Sequence, residues 1–126
     1  MEIELTNLNF GYGNGHQVLH DINLRIDKPG LICIIGPNGV GKSTLVKCIN
    51  GLLKPTSGEI RIDGKLLSEY TPKEISMMIG YVPASTKDIF SMPVVDAILI
   101  GRHNHQKWKT TEKDMEIVER AMKVLG

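Results

Sequence analysis

Only two cysteines, Cys33 and Cys48, occur in the 126 residues. That is too few for a disulfide framework, and each stands in an apolar or helical setting, so packing in a reducing cytosol is the expected role. Neither sign of charge is in excess: 15 Lys+Arg stand against 14 Asp+Glu, a net charge of +1. The chain therefore carries no electrostatic footprint for nucleic acid. No apolar run approaches the roughly 18 residues of a membrane helix; the longest are Leu31 to Ile35 and Ala97 to Ile100. The opening Met1-Glu2-Ile3-Glu4 lacks the basic and apolar regions of a secretory signal. There is no internal repeat and no low-complexity segment. What remains, 41% hydrophobic and 23% charged residues, is the composition of one packed domain.

Ile3, Leu5, Leu8 and Phe10 recur at mostly strand-like spacing across residues 3–12, and Gly13-Asn14-Gly15 comes next as a turn. From Val18 to Ile26 the alternation resumes, with Ile22, Leu24 and Ile26 on one side and Asn23 and Arg25 on the other. The two runs read as an antiparallel hairpin, and Asp27-Lys28-Pro29-Gly30 as a second turn. Then the pattern changes. Leu31-Ile32-Cys33-Ile34-Ile35 is apolar without interruption, as expected of a strand buried on both faces in a parallel sheet. Further on, Leu45, Cys48, Ile49 and Leu52 fall on one helical face. Glu59 to Ile62 alternates and closes on an Asp63-Gly64 turn. Thr71-Pro72-Lys73-Glu74 has the N-cap, first-turn Pro and third-position Glu of a short helix. Ile79 to Val82 reads as another strand, stopped by Pro83. Val94 to Ile100 is expected to be helical. Thr111 to Leu125 is the clearest helix, with Met115, Val118, Met122 and Leu125 on one stripe and Gly126 as its stop.

Between the apolar run and the first helix lies Gly36-Pro37-Asn38-Gly39-Val40-Gly41-Lys42-Ser43-Thr44. It fits the phosphate-binding P-loop pattern, in the strand-then-helix context that pattern requires. A triphosphate is a dense anion, best held by backbone N–H groups and a helix N-terminus. Glycines at 36, 39 and 41 are expected to take positive φ and let the backbone approach the phosphates closely. Lys42 supplies a mobile charge for the β- and γ-phosphates. Ser43 is suited to ligate Mg²⁺ and Thr44 to bond the α-phosphate.

The residues around this loop narrow the family. Ile49-Asn50-Gly51-Leu52-Leu53-Lys54-Pro55-Thr56-Ser57-Gly58-Glu59-Ile60-Arg61-Ile62-Asp63-Gly64 resembles the segment downstream of the P-loop in the ATP-binding subunits of ABC transporters. Tyr12-Gly13, the stretch from Val18 to Leu24, and Gly80-Tyr81-Val82-Pro83 resemble them too, in order along essentially the whole chain. The segment from Asp88 to Arg102 is most similar to importers of iron–siderophore, haem or cobalamin. The resemblance implies an α/β fold: a P-loop NTPase core with an N-terminal antiparallel β subdomain, incomplete. Its parts are residues 1–30 as the β subdomain, 31–83 as the P-loop core and 84–126 as the start of a helical subdomain. It implies ATP and Mg²⁺ as ligands, with a transmembrane permease subunit and a second ATP-binding subunit as partners and no nucleic acid. The implied place is cytoplasmic, at the inner face of the cell membrane through the permease. Tyr12 becomes the aromatic that stacks on adenine, which suits a ring face; Phe10 is expected in the core. The implied nucleotide site is Tyr12, Gly36, Asn38, Gly39, Gly41, Lys42, Ser43 and Thr44.

Two departures limit what the resemblance carries. Where the family has Gln after the Tyr-Val-Pro triplet, reaching Mg²⁺ and the attacking water, this chain has Ala84, which has no polar atom to offer. Weakened coupling and hydrolysis are expected. The chain also reaches Gly126 without the Leu-Ser-Gly-Gly-Gln signature, the Walker B carboxylates or the switch His, so no residue is assigned as catalytic. The alternative reading is a non-hydrolysing nucleotide-binding fragment or decayed gene product. Alone, such a chain is expected to expose sheet edge and apolar surface, to aggregate, and to bind nucleotide weakly. A small P-loop kinase is disfavoured, because only Arg102 and Arg120 are available as lid arginines. His103-Asn104-His105 reads as surface rather than metal site. Glu112, Lys113, Asp114, Glu116, Glu119 and Lys123 read as the solvated side of the last helix.

Overall fold

The computed structural model describes residues 1–13, 15–83, 93–102 and 110–126. They divide into two compact units, residues 1–79 and 80–126.

The first unit is built on a hairpin. Strands β1 (Ile3–Gly11) and β2 (Gln17–Ile26) pair antiparallel. The other edge of β1 takes β3 (Ser57–Ile62), which in turn pairs with the two-residue β4 (Lys65–Leu66). The sheet order is β2-β1-β3-β4, so two of its strands come from beyond the hairpin. The spacing of Leu5, Leu8 and Phe10 departs from strict alternation, yet all three are buried. A bulge reconciles them. The register slips between Leu5 and Leu8, where Asn7 takes a positive φ of 46° and its N–H donates to Asn23 Oδ1 at 2.8 Å. The extra residue turns Leu8 back to the face that Leu5 occupies.

That face carries the core: Leu5, Leu8, Phe10, Leu19, Ile60 and Ile62, joined by Cys48 and Leu67. Fully burying one such leucine or isoleucine contributes about 1.5–3 kcal/mol. Helix α1 (Lys42–Ile49) inserts Cys48, whose thiol pKa burial pushes up. Leu45 and Ile49 pack beside it, whereas Leu52 lies past the helix end and is exposed. That corrects the expected stripe, because α1 stops at Ile49 and Leu52 no longer follows its periodicity. Helix α2 (Pro72–Met78) begins as its sequence requires: Thr71 N–H donates to Glu74 Oε2 at 2.7 Å, and Glu74 N–H to Thr71 Oγ1 at 3.2 Å. Ile75 and Met78 then pack against the sheet.

Leu31 to Ile35 does not form the expected strand. Leu31 is 95% and Ile35 92% exposed. A strand exists only where a neighbour accepts its N–H groups and donates to its carbonyls. No described residue forms a parallel ladder with this segment, so its composition suits a buried strand and its backbone has nothing to pair with. Ile79 to Val82, also expected as a strand, is unpaired for the same reason.

The second unit is helical among its described residues: α3 (Val94–Arg102) and α4 (Glu112–Leu125). On α4 only Val118 of the expected stripe is buried; Met115, Met122 and Leu125 are exposed. Asp114 reverses its expectation, because it is 4% exposed rather than solvated. It occupies the third position of a capping box. Its Oδ2 accepts from Thr111 N–H at 3.0 Å and Thr111 Oγ1 at 2.7 Å, and its Oδ1 lies 3.2 Å from Arg102 Nη2. The Thr111 bonds, then Arg102, hold its carboxyl below the usual range. No described helix is long and apolar enough to cross a membrane.

Candidate nucleotide-binding site

The phosphate loop takes its shape from its glycines, though not from all three in the same way. Gly39 and Gly41 have φ of +83° and +97°, a region costly for residues with a Cβ. Gly36 does not take positive φ, which corrects that expectation. Its constraint is space: a Cβ there would approach Val40 Cγ1 at 3.1 Å. Gly41 is constrained twice. It is the N-cap of α1, and a Cβ would meet Val18 Cγ1 at 2.8 Å and Leu19 Cδ2 at 3.1 Å. The start of α1 is thus seated directly on β2, and the loop is fixed to the hairpin by a residue that cannot be larger.

The helix N-terminus is left open to an anion. Gly41 provides no side-chain cap, and the first turn of α1 holds no acidic residue, while Lys47 sits in the last turn. The missing cap and the missing carboxylate leave the positive end of the helix dipole uncompensated by the chain itself. The N–H groups of Gly39 and Gly41 donate to no acceptor among the described residues, while Asn38 and Gly39 form the tight turn between Pro37 and Val40. Asn38 is exposed in that turn. Lys42 folds over its own loop, Nζ donating to Gly36 O at 2.7 Å and Pro37 O at 2.6 Å. Ser43 is exposed, and its hydroxyl bonds to no described residue. Thr44 is buried, with Oγ1 lying 3.4 Å from the Tyr12 hydroxyl.

Tyr12 joins the site from the hairpin. Its N–H donates to His16 O and its carbonyl accepts from Gly15 N–H, both at 3.0 Å. The ring meets Phe10 edge-on, centroids 5.0 Å apart and planes at 89°. Phe10 is buried, as expected, while Tyr12 is 46% exposed. An open depression of about 600 Å³ lies beside it, lined by Asn9, Gln17, Thr56 and Ser57 among others; no residue of the phosphate loop lines it. Two contributors are not apparent from the motif: Val18, on which Gly41 rests, and Phe10 as the brace of Tyr12. Neither is signalled by the strand pattern, since Tyr12 lies just past the end of β1.

A triphosphate and a divalent cation fit these residues. Unpartnered amides, an uncapped helix start, a lysine held only by loop carbonyls and an accessible serine hydroxyl are the donor set such an anion takes. Ala84 and the His103–His105 segment lie outside the described residues. Among the described residues no group of His, Cys, Asp and Glu is arranged to hold a metal ion.

Residues 19–126 match the family model described as ABC transporter. A haemin import ATP-binding protein of Methylobacillus flagellatus is 36% identical over the whole chain, which covers 46% of that protein. The structure of cbiO1 from Clostridium perfringens, part of the ABC transporter complex cbiONQ, is 41% identical. It aligns with a TM-score of 0.54 over 60% of this chain and 30% of that one. A bacterial Atm1-family ABC exporter with ATP bound is 28% identical, with a TM-score of 0.72 over 80% of this chain and 18% of that one. The chain spans about half the length of the curated relatives it matches.

Proposed function

From the premise that the chain belongs to the ABC transporter family, as part of its ATP-binding component, we propose that residues 36–44 and Tyr12 bind MgATP for a membrane transporter. The observation that carries this reading is the set of unpartnered loop amides at an uncapped helix start. Gly39 and Gly41 supply donors to the phosphates, and the dipole of α1 adds its positive end. Lys42 leaves the Gly36 and Pro37 carbonyls for the β- and γ-phosphates, exchanging two neutral acceptors for an anion, a stronger partner. Ser43 holds Mg²⁺, which neutralises phosphate charge when bound, and Thr44 bonds the α-phosphate. Tyr12 offers a ring face to adenine.

The partners under this reading are a permease subunit and a second ATP-binding subunit, at the cytoplasmic face of the membrane. The direction is import, of haem, a siderophore chelate or cobalamin. It is supported by the resemblance of residues 88–102 and by relatives named for haemin and cobalamin import, against which stands the likeness to an exporter. No residue of this chain is assigned to hold the attacking water, and the proposal for its own residues is one of nucleotide binding.

Equilibrium titration with MgATP, wild type against Lys42→Ala, tests the site. Losing a charge-assisted bond of about 1.5–3 kcal/mol weakens binding at least about tenfold. Equal affinities for the two proteins contradict the assignment. A steady-state ATPase assay on the same pair separates binding from catalysis, and Lys42-dependent turnover contradicts the non-hydrolysing reading.

A further inference from the structure

Tyr12 is held more firmly than stacking alone requires. Its backbone is tied by Gly15 and His16, its ring packs perpendicular to that of the buried Phe10, and its hydroxyl reaches across 32 residues of chain to Thr44 Oγ1 at 3.4 Å. The last contact joins two parts of the site that otherwise have no reason to touch: the platform for the base and a hydroxyl at the start of α1. Thr44 is buried, so its oxygen has few other partners to choose from.

A threonine hydroxyl has one proton and two lone pairs, and a phenol is the better donor of the two. If Tyr12 donates, Thr44 keeps its own proton for an acceptor elsewhere. If Thr44 donates to Tyr12, that proton is spent. The separation of 3.4 Å exceeds the ordinary O–H···O range of about 2.5–3.0 Å, so without ligand the bond is weak. A phosphate oxygen accepting from Thr44 makes the threonine oxygen a better acceptor, and linked hydrogen bonds strengthen one another. The contact is therefore one that gains strength when the site is filled.

We propose that the Tyr12 hydroxyl is a positioning group: it donates to Thr44 Oγ1 and directs the Thr44 proton to the α-phosphate, coupling base platform to phosphate donor. This rests on the nucleotide-site reading above and adds to it a second role for Tyr12, independent of stacking. Phe10 sets the ring plane that makes the reach possible.

A double-mutant cycle on the 126-residue chain tests it, with MgATP affinity measured by calorimetry for wild type, Tyr12→Phe, Thr44→Val and the double variant. Phenylalanine keeps the stacking face and valine keeps the shape of threonine, so each change removes only a hydroxyl. Tyr12→Phe weakens MgATP about 3- to 10-fold in the wild-type background, the value of one hydrogen bond. In the Thr44→Val background it changes affinity less than about twofold. Thr44→Ser, which keeps the hydroxyl, restores the effect of Tyr12→Phe and shows that the loss is not one of folding. Equal effects of Tyr12→Phe in both backgrounds, or none in either, overturn the coupling while leaving the nucleotide site intact. No MgATP binding by wild type removes the site itself and the inference with it.

Discussion

Replacing Gly41 and Gly39 by alanine, one at a time, separates two constraints that the loop combines. Both residues have positive φ, +97° and +83°, so each alanine meets a left-handed backbone cost of about 1–2 kcal/mol. Around Gly39 nothing lies within 4 Å of an added Cβ, whereas at Gly41 the Cβ would sit 2.8 Å from Val18 Cγ1 and 3.3 Å from Val18 O. Valine is stiff at χ1 and the carbonyl belongs to a paired strand, so neither yields easily. Overpacking of this kind adds about 1–3 kcal/mol. Gly39→Ala should therefore cost about 1–2 kcal/mol and Gly41→Ala roughly 2–5 kcal/mol, a large part of the ~5–15 kcal/mol that holds a domain. Urea unfolding followed by circular dichroism measures both, with an unchanged slope as the sign that the two states are the same. Equal midpoints for the two variants would refute the seating of α1 on β2.

Maleimide should label Cys33, which is exposed, within minutes at neutral pH, and Cys48, buried with its thiol pKa raised, only after unfolding; equal labelling rates contradict the core. Leu31→Ser and Ile35→Ser should change stability by less than about 0.5 kcal/mol while slowing aggregation, since both side chains are exposed. A loss above about 2 kcal/mol would mean the segment is packed. Asp114 and Glu74 have carboxyl pKa values lowered from 3.8 and 4.5 by their capping threonines first. A depressed folded value means stability present above the ordinary value and lost as pH falls through the folded one. Urea stability should therefore fall below about pH 4, and less steeply in Asp114→Asn; an identical slope in that variant contradicts the capping role.

A glycine-rich turn running into a helix is legible in sequence because it is local. Gly36 to Thr44 are contiguous, and the donors they offer derive from the backbone they form. The hairpin and the Thr71–Glu74 cap are equally legible, because each is closed by neighbours along the chain. Leu31 to Ile35 shows the limit: composition states which environment a segment suits, and only pairing makes it a strand. Asp114 reads as solvated because its charge outweighs its position three residues after Thr111, the same spacing that marks the cap at Glu74. The Asn7 bulge hides in a spacing that looks nearly regular. The Tyr12–Thr44 contact spans two elements and has no linear signature at all.

The proposed site places the phosphates in the loop at the start of α1. Amide chemical-shift mapping of the isotopically labelled chain on addition of MgATP tests it most directly. The largest shifts are expected at Gly39, Gly41, Lys42, Ser43 and Thr44, with a ring-proton shift at Tyr12 and little change along α4. Shifts absent from the loop, or concentrated on α3 and α4 instead, would contradict it.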